Sequence, residues 1–233
     1  MKTALTLLCF SLSLLFVHSA LAQGPPPLCK PCLFYGGDMG QTDPDSTIFY
    51  NENTPQFLDT STYGAITVPK NRSLLIEGIL FQVDELVPNA HNATWDIRTG
   101  VSLAFGGTSI ASGEGPIERQ ATGRDFDGYS EFTTVMKVDP PVQIDGGNSD
   151  RGTRYWFNLT PTCVKQNNCG RNQWFVSNTP HQVNNYRGVA QPGGNIFIFS
   201  EAYGYNWDNW CDLGLNGQQC GSLSFGLMGK VLQ

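Results

Sequence analysis

The sequence is poor in charge, in histidine and in helical patterning. Charged residues make up 15% of the chain, and of its three histidines only His91 and His181 lie beyond the N-terminal region. Two histidines are too few for a three-histidine zinc site, and neither His-Glu-x-x-His nor Gly-x-Ser-x-Gly occurs. No apolar stripe of helical period exceeds two turns. These absences argue against a zinc-dependent hydrolase, against a Gly-x-Ser-x-Gly serine hydrolase and against a helical fold. A catalytic triad that uses one of the two histidines remains an open alternative.

No long hydrophobic run follows the N-terminal one. Met1–Ala22 combines a charged Lys2, the apolar stretch Ala4–Val17 and a small-residue cleavage site before Gln23. This pattern is typical of a secretory signal peptide, and a membrane helix would need about 20 apolar residues. We predict a secreted protein with no membrane span after signal cleavage.

The mature chain carries an acidic excess. Removal of residues 1–22 leaves 13 basic and 20 acidic residues, a net charge of −7. A negative net charge repels phosphate backbones and anionic membrane surfaces. Nucleic acid is therefore not an expected partner.

Short runs with period-two alternation recur along the chain, separated by glycine-rich turns such as Gly106-Gly107, and predict strands. The predicted strands are Ser46–Asn51, Tyr63–Val68, Ser73–Val83, Ala93–Phe105, Ile117–Gly123, Tyr129–Val138, Thr153–Thr160, Asn172–Asn178, Asn195–Ser200 and Ser222–Met228. We expect an all-β fold, a two-sheet antiparallel β-sandwich of jelly-roll type. A closed barrel is the alternative that periodicity leaves open. Residues 23–32 form a proline-rich leader, and residues 33–233 form a single domain.

Six cysteines remain after signal cleavage, and they fall into three close couples. Fifteen pairings are possible, of which local pairing is the simplest. Because local loops are short, each bridge would contribute about 2–3 kcal/mol. Cys29-Lys30-Pro31-Cys32 has the spacing of a redox pair, but no helical pattern follows it, so a structural disulfide is favoured. The expected pairs are Cys29–Cys32, Cys163–Cys169 and Cys211–Cys220.

The densest group of aromatic and amide side chains lies in residues 203–210. Sugars present apolar C–H faces and rings of hydroxyls, so tyrosine or tryptophan beside asparagine and aspartate suits a glycan surface. The alternative is that alternate rings complete the core. The candidate ligand-binding residues are Tyr203, Tyr205, Asn206, Trp207, Asp208 and Trp210.

Two acidic turns are candidates for structural calcium, which takes six to eight oxygen ligands. The first contains Asp125, Asp127 and Glu131, and the second Asp145 and Asp150. Neither completes a twelve-residue calcium loop, and solvated turns are the alternative. No other cofactor is expected.

Glycoside hydrolysis needs only two carboxylates at a suitable separation. The available glutamates are Glu77, Glu114, Glu118, Glu131 and Glu201. A linear sequence gives no distances between them, so none is assigned a catalytic role.

The strand-like segments Trp95–Gly100, Arg154–Leu159 and Trp174–Thr179, together with the signal, resemble a loose group of uncharacterised exported bacterial β-sandwich proteins. The resemblance spans roughly Leu33–Gly229 and implies no catalytic residues. Many members carry a C-terminal sorting or anchoring tail, whereas Ser222–Gln233 reads as a last strand with a short polar end.

Two hypotheses follow. The first is a secreted, non-catalytic module, structural or ligand-binding, that acts at the cell envelope or outside it and contacts polysaccharide or another envelope component. The second is an extracellular glycan-degrading hydrolase that uses a carboxylate pair. An enzyme should place two of the named carboxylates across a cleft, whereas a binding module should expose aromatic rings without such a pair.

Overall fold

The computed structural model describes residues 26–37, 60–85, 91–126, 128–162, 174–176, 178–179, 196–200, 204–209 and 222–232. These residues form strands and turns and no helix, which confirms the predicted all-β class. The same ranges therefore contain no helix long and apolar enough to cross a membrane.

Thirteen strands lie within the described ranges. They are β1 (Cys32–Tyr35), β2 (Thr60–Val68), β3 (Ser73–Glu85), β4 (Asn92–Thr99), β5 (Thr108–Phe126), β6 (Tyr129–Asp145), β7 (Thr153–Thr162), β8 (Trp174–Val176), β9 (Asn178–Thr179), β10 (Ile196–Ser200), β11 (Tyr205–Asn209), β12 (Ser222–Leu223) and β13 (Phe225–Leu232).

Eleven of these strands form one curled antiparallel sheet. Its order is β1-β13-β3-β6-β5-β4-β7-β2-β10-β11, with β8 paired to β3, while β9 and β12 form a separate pair. The sheet is continuous because β5 is long enough to serve both halves: Thr108–Pro116 pairs with β4, and Ile117–Phe126 pairs with β6. A division into two separate sheets is therefore not confirmed.

The two halves of the curled sheet share one core through Phe225. The Phe225 ring on β13 lies 5.1 Å from that of Phe34, 5.6 Å from that of Phe81 and 6.2 Å from that of Phe157 on β7, between ring centroids. Gly64 on β2 faces the same ring, and a Cβ there would come within 2.8 Å of it. The Phe225 ring thus contacts side chains of both halves, and the absence of a side chain at Gly64 makes room for it.

Several predicted strand boundaries are corrected. The predicted strand Ala93–Phe105 ends at Thr99, because Gly100 adopts a φ of 70° and the chain turns into a loop at residues 100–107. Strands β5 and β6 are longer than the patterns Ile117–Gly123 and Tyr129–Val138 indicated, since their polar residues face solvent on a paired strand. Ser46–Asn51 lies outside the described residues.

The N-terminal segment covers the outer face of β3. Cys29 and Cys32 form a disulfide, so the pairing expected for them is confirmed. Both are buried in a small cluster with Tyr35, Leu80 and Val135. Burial of both sulfurs under packed side chains suits a structural bridge that fastens this segment to the sheet. The other four cysteines lie outside the described residues.

Candidate functional site

The outer face of strands β4, β7, β2 and β10 carries a second apolar cluster. Strand alternation puts it there, because Ile66 enters the main core while Tyr63 and Ala65 lie on the opposite face of β2. In the ladder Tyr63 lies opposite Phe197, and Ala65 lies opposite Trp156. We call this set the outer aromatic cluster: Tyr63, Ala65, Val101, Trp156 and Phe197, with Trp207 packed against it.

A polar network borders this cluster and centres on Asp96. The Tyr63 hydroxyl donates to Asp96 Oδ2 at 3.0 Å, and the Ser109 hydroxyl donates to Asp96 Oδ1. Arg98 Nε forms an ion pair with Asp96 Oδ2, and Arg98 Nη1 donates to the Gly106 carbonyl at 2.9 Å. Charge-assisted hydrogen bonds of this kind hold the guanidinium in one orientation.

Two aromatic rings lie against that guanidinium. Arg98 Cζ is 4.9 Å from the centroid of the Trp207 ring and 5.6 Å from that of Tyr63. The two rings are 5.0 Å apart, and Phe199 adds a third ring 5.5 Å from Trp207. Cation–π attraction therefore adds to the ion pair in fixing Arg98 and Trp207 relative to each other.

Trp207 reaches this position through an irregularity in β11. The register with β10 shifts between Ile198 and Phe199, and Trp207 has a φ of 57°. The Ala104 amide donates to the Trp207 carbonyl at 3.2 Å, which joins loop 100–107 to β11. A Cβ at Gly106 would lie 2.3 Å from the indole, so the close approach requires glycine.

Burial and charge shift two ionisation equilibria in this network. Burial, followed by the negative charge of Asp96, raises the pKa of the Tyr63 phenol well above its ordinary value of 10.0. Partial burial acts to lower the pKa of Arg98, but the hydrogen bond to Asp96 and the contacts with Tyr63 and Asp96 outweigh it, and the pKa is raised. The network is thus a neutral phenol and an ion pair at ordinary pH.

Some of the predicted ligand-binding residues border this cluster. Asn206 is exposed, and its backbone N–H donates to Asp208 Oδ2 at 3.0 Å. Trp207, Asp208 and Asn209 are half-buried, and the indole of Trp207 packs against the cluster. The backbone of Tyr205 lies in β11. Tyr203 and Trp210 lie outside the described residues.

Sequence reasoning missed Tyr63, Asp96 and Arg98 as members of this site. The signal was available in Trp95-Asp96-Ile97-Arg98, whose alternation places Asp96 and Arg98 on the same outer face. The sequence does not show which strands pair next to β4. Only the ladder brings Tyr63, on β2, to the same face as β4, with β7 between them.

The predicted calcium residues lie in two different places. Glu131 is buried and pairs with Arg124 Nε at 2.5 Å, and its carboxylate also accepts the Thr122 hydroxyl at 2.6 Å. Asp125 is exposed on β5, and Asp127 lies outside the described residues. Within the part of the chain that the structure describes, no three histidine, cysteine, aspartate or glutamate side chains lie close enough to hold a metal ion.

The second acidic turn is held by hydrogen bonds of its own. Asp145 accepts from the Ser73 hydroxyl and from Gln143 Nε2, and these bonds lower the pKa of the exposed Asp145 carboxyl. Asp150 pairs with Lys70 Nζ at 2.6 Å. The carboxylates of this turn therefore already have side-chain partners.

The carboxylates available for glycoside hydrolysis are dispersed. Glu77 lies 3.7 Å from Lys230 Nζ. Glu114 and Glu118 are exposed four residues apart on β5, a spacing of about 13 Å along an extended strand. Catalytic pairs need about 5–9.5 Å. Glu201 lies outside the described residues.

One carboxylate pair that sequence reasoning did not single out is present. Asp84 on β3 is the direct partner of Glu131 on β6, and both are buried. Side chains directly opposite in an antiparallel ladder have Cβ atoms about 5 Å apart. The two acids therefore lie side by side on neighbouring strands, but neither side chain reaches solvent in this conformation.

Comparisons with protein-family models, with curated proteins and with solved structures found no match to this chain.

Proposed function

We propose that this chain is a secreted, non-catalytic β-sandwich module that binds polysaccharide at the cell envelope or outside it. The observation that carries the proposal is the half-buried Trp207, whose ring lies 4.9 Å from Arg98 Cζ, next to the exposed Asn206. Its apolar surface is suited to a sugar C–H face, and the neighbouring amides and Asp208 offer hydrogen-bond partners for hydroxyls.

The rigidity of the site favours binding. Trp207 is held by Arg98, by Tyr63 and by the backbone bond from Ala104, so little side-chain freedom remains to be lost when a ligand docks. Ordering a free aromatic side chain at an interface costs about 0.5–1.5 kcal/mol. A preorganised ring avoids most of that cost.

The proposal includes export and a jelly-roll architecture. The signal-like Met1–Ala22 supports translocation, and the disulfide Cys29–Cys32 suits an oxidising compartment. The contact of Phe225 with rings of both sheet halves supports a sandwich-like closure. The likeness to exported bacterial β-sandwich proteins belongs to the same proposal and rests on the strand-like segments named above.

The alternative is a glycan-degrading hydrolase, and a single observation favours it: Asp84 and Glu131 lie directly opposite each other. Against it, Arg124 and Thr122 engage the Glu131 carboxylate, and both acids are buried. Loss of reducing-end release in Glu131→Gln, with glycan binding retained, would establish the enzyme instead.

A glycan array probed with the oxidised mature chain, residues 23–233, tests the proposal. We expect binding to at least one plant, fungal or bacterial polymer, and a drop in affinity of about tenfold or more in Trp207→Ala, since one aromatic contact is worth about 1.5 kcal/mol. Asn206→Ala, whose side chain is exposed, tests the same surface without disturbing the cluster.

Gln120→Ala is the control matched to Asn206→Ala, because Gln120 is an exposed amide on the part of β5 that pairs with β6, away from β11. It should bind the same polymer as the unaltered chain. Silence on every polymer would remove the proposed function, and so would an affinity of Trp207→Ala and Asn206→Ala equal to that of the unaltered chain.

A further inference from the structure

The loop between β4 and β5 contacts Trp207 on both sides of Phe105. On one side, the Ala104 amide donates to the Trp207 carbonyl at 3.2 Å. On the other side, the Gly106 backbone packs so closely on the indole that a Cβ there would lie 2.3 Å from it. Because successive Cα atoms are about 3.8 Å apart, Phe105 is one residue away from each contact. The candidate ligand surface on β11 therefore continues onto this loop.

The loop presents exposed apolar side chains at this place. Leu103 and Phe105 have 62% and 57% of their surface exposed. A single exposed apolar residue needs no explanation, but two of them beside a half-buried tryptophan form a larger apolar surface. We call residues 102–105 the apolar tip.

The backbone of the apolar tip is held in place. Ser102 and Phe105 exchange two backbone hydrogen bonds, both 2.9 Å long. Next to the tip, Val101 is buried in the outer aromatic cluster, and the Gly106 carbonyl accepts from Arg98 Nη1 at 2.9 Å. A ligand that docks here therefore needs to order little of the loop, which lowers the cost of binding.

The surface formed by the apolar tip and β11 carries little charge. Within residues 102–107 and 204–209 the one charged side chain is Asp208. Arg98, whose guanidinium lies against the Trp207 ring, is already paired with Asp96. A carboxylate or sulfate group on a ligand would thus approach a negative charge here, and like charges repel.

We propose that this site takes neutral polysaccharide in chains of several sugar residues, with one sugar against Trp207 and a neighbouring sugar against Phe105 and Leu103. This inference rests on the proposed function and names the class of polymer within it. The C–H faces of an uncharged sugar suit the apolar tip, and its hydroxyls can bond to the exposed Asn206 amide. A ligand that makes both apolar contacts must be extended, because they come from different segments of the chain.

The dependence of affinity on chain length tests the contact at the apolar tip. The probes are disaccharides and hexasaccharides of β-linked glucose, mannose and xylose, titrated into the oxidised mature chain in a calorimeter. The hexasaccharide of at least one series should bind more tightly than its disaccharide. Leu103→Ser/Phe105→Ser should weaken the hexasaccharide about tenfold, since an aromatic contact is lost, and should lower the ratio of the two affinities.

Phe105→Tyr is the matched control for that variant. It keeps an aromatic ring at the tip and should bind the hexasaccharide as the unaltered chain does. Because Leu103 and Phe105 are exposed, the serine variant should also keep the urea midpoint of the unaltered chain, which shows that a loss of binding does not come from unfolding.

Acidic polymers test the charge class of the ligand. Alginate, polygalacturonate and carrageenan carry carboxylate or sulfate groups and should bind more weakly than the neutral polymer. The difference should be greatest at low ionic strength, where charges on exposed groups are least screened.

Three results would overturn the inference and leave the proposed function in place. One is tighter binding of an acidic polymer than of any neutral one. Another is a hexasaccharide affinity that Trp207→Ala lowers but Leu103→Ser/Phe105→Ser does not. The third is sedimentation of the ligand-free protein as a dimer that the serine variant converts to monomer, since a second copy would then cover the tip. Silence on every polymer would instead remove the proposed function and the inference together.

Discussion

At the scale of single residues, Glu131 shows how the surroundings of a side chain in the sheet bear on its interpretation as a site residue. As one of several acidic residues it suggested calcium or catalysis, but it lies buried on β6 beside Arg124, with Asp84 opposite. A buried carboxylate is tolerated only when charge and hydrogen bonds compensate the lost hydration. Arg124 supplies a compensating positive charge to the Glu131 carboxylate, and Thr122 donates a hydrogen bond to it.

Arg124→Gln should destabilise the fold by about 3 kcal/mol, because it removes the Arg124 guanidinium from the buried Glu131 carboxylate. Urea denaturation followed by tryptophan fluorescence measures the change in unfolding free energy. Lys137→Gln is the control, since Lys137 pairs with Asp139 on the open surface, and should change the free energy by about 0.5 kcal/mol or less. Equal effects of the two substitutions would contradict this account.

The raised pKa of the Tyr63 phenol predicts that the stability of the fold falls at alkaline pH. Its pKa in the folded protein lies above its ordinary value of 10.0, because burial and then the charge of Asp96 disfavour the phenolate. The unfolded chain releases this proton near pH 10, so the stability that the neutral phenol contributes is fully present below that pH. It is lost as the pH rises toward the folded pKa.

Tyr63→Phe has no such proton. We expect it to be less stable than the unaltered chain near neutral pH by about 1.5–3 kcal/mol, the contribution of a hydrogen bond to a charged acceptor. The difference in unfolding free energy between the two chains should narrow above about pH 10, because only the unaltered chain loses stability when the Tyr63 phenol ionises in its unfolded state. Chemical denaturation over this pH range measures it, and a gap that stays constant with pH would show that Tyr63 ionises normally.

At the scale of elements, loop 100–107 and β11 fold over the outer face together. Both are short, and β11 has five residues. The loop is held against the sheet by the buried Val101 and by the hydrogen bond from the Ala104 amide to the Trp207 carbonyl. Their meeting point is Gly106, against which the indole packs. The position of the candidate ligand surface therefore depends on a backbone contact that has no room for a side chain.

Gly106→Ala should destabilise this closure by about 1–3 kcal/mol and shift the tryptophan emission, because the new methyl group would occupy the position of the Trp207 ring. Gly115→Ala is the control: its Cβ would meet only the flexible end of Met136, at 3.3 Å. Thermal unfolding with fluorescence detection compares the two. A Gly106 variant indistinguishable from the Gly115 variant would mean that the indole does not pack here.

At the scale of the whole molecule, one aromatic residue joins the two halves of the curled sheet. Phe225 is fully buried and contacts rings on β1, β3 and β7. We expect Phe225→Ala to lower the free energy of unfolding by about 3–5 kcal/mol. The cavity left by the ring would lie between the two halves rather than within one of them.

Val231→Ala on the same strand is a useful comparison, because Val231 is only partly buried at the edge of the core. It removes less buried surface and should cost clearly less than Phe225→Ala. Calorimetry should show one cooperative transition for the unaltered chain. Similar losses for the two variants would contradict the central position given to Phe225.

Sequence patterning predicted the elements better than their assembly. The alternation in β2, β3, β4 and β7 marked which residues face inward, because that choice depends only on local hydrophobicity and on the period of a strand. The exact ends of β4 and β5 were missed, since Thr108–Pro116 is polar and gains its strand conformation from pairing with β4. Local sequence carries no record of such a partner.

The sequence by itself determined which side chains are available: the aromatic and amide residues of β11, the alternating Asp96 and Arg98, and the Cys29–Cys32 couple. Only the tertiary structure decided which of them meet. It brought Trp207 onto Arg98 and gave the Glu131 carboxylate to Arg124. The physical reason is that ladder register and the irregularity in β11 bring Trp207 to Arg98, more than a hundred positions away, and that the pairing of β5 with β6 brings Arg124 beside Glu131, seven positions away. Pairings between distant strands are set by the packing of the whole sheet.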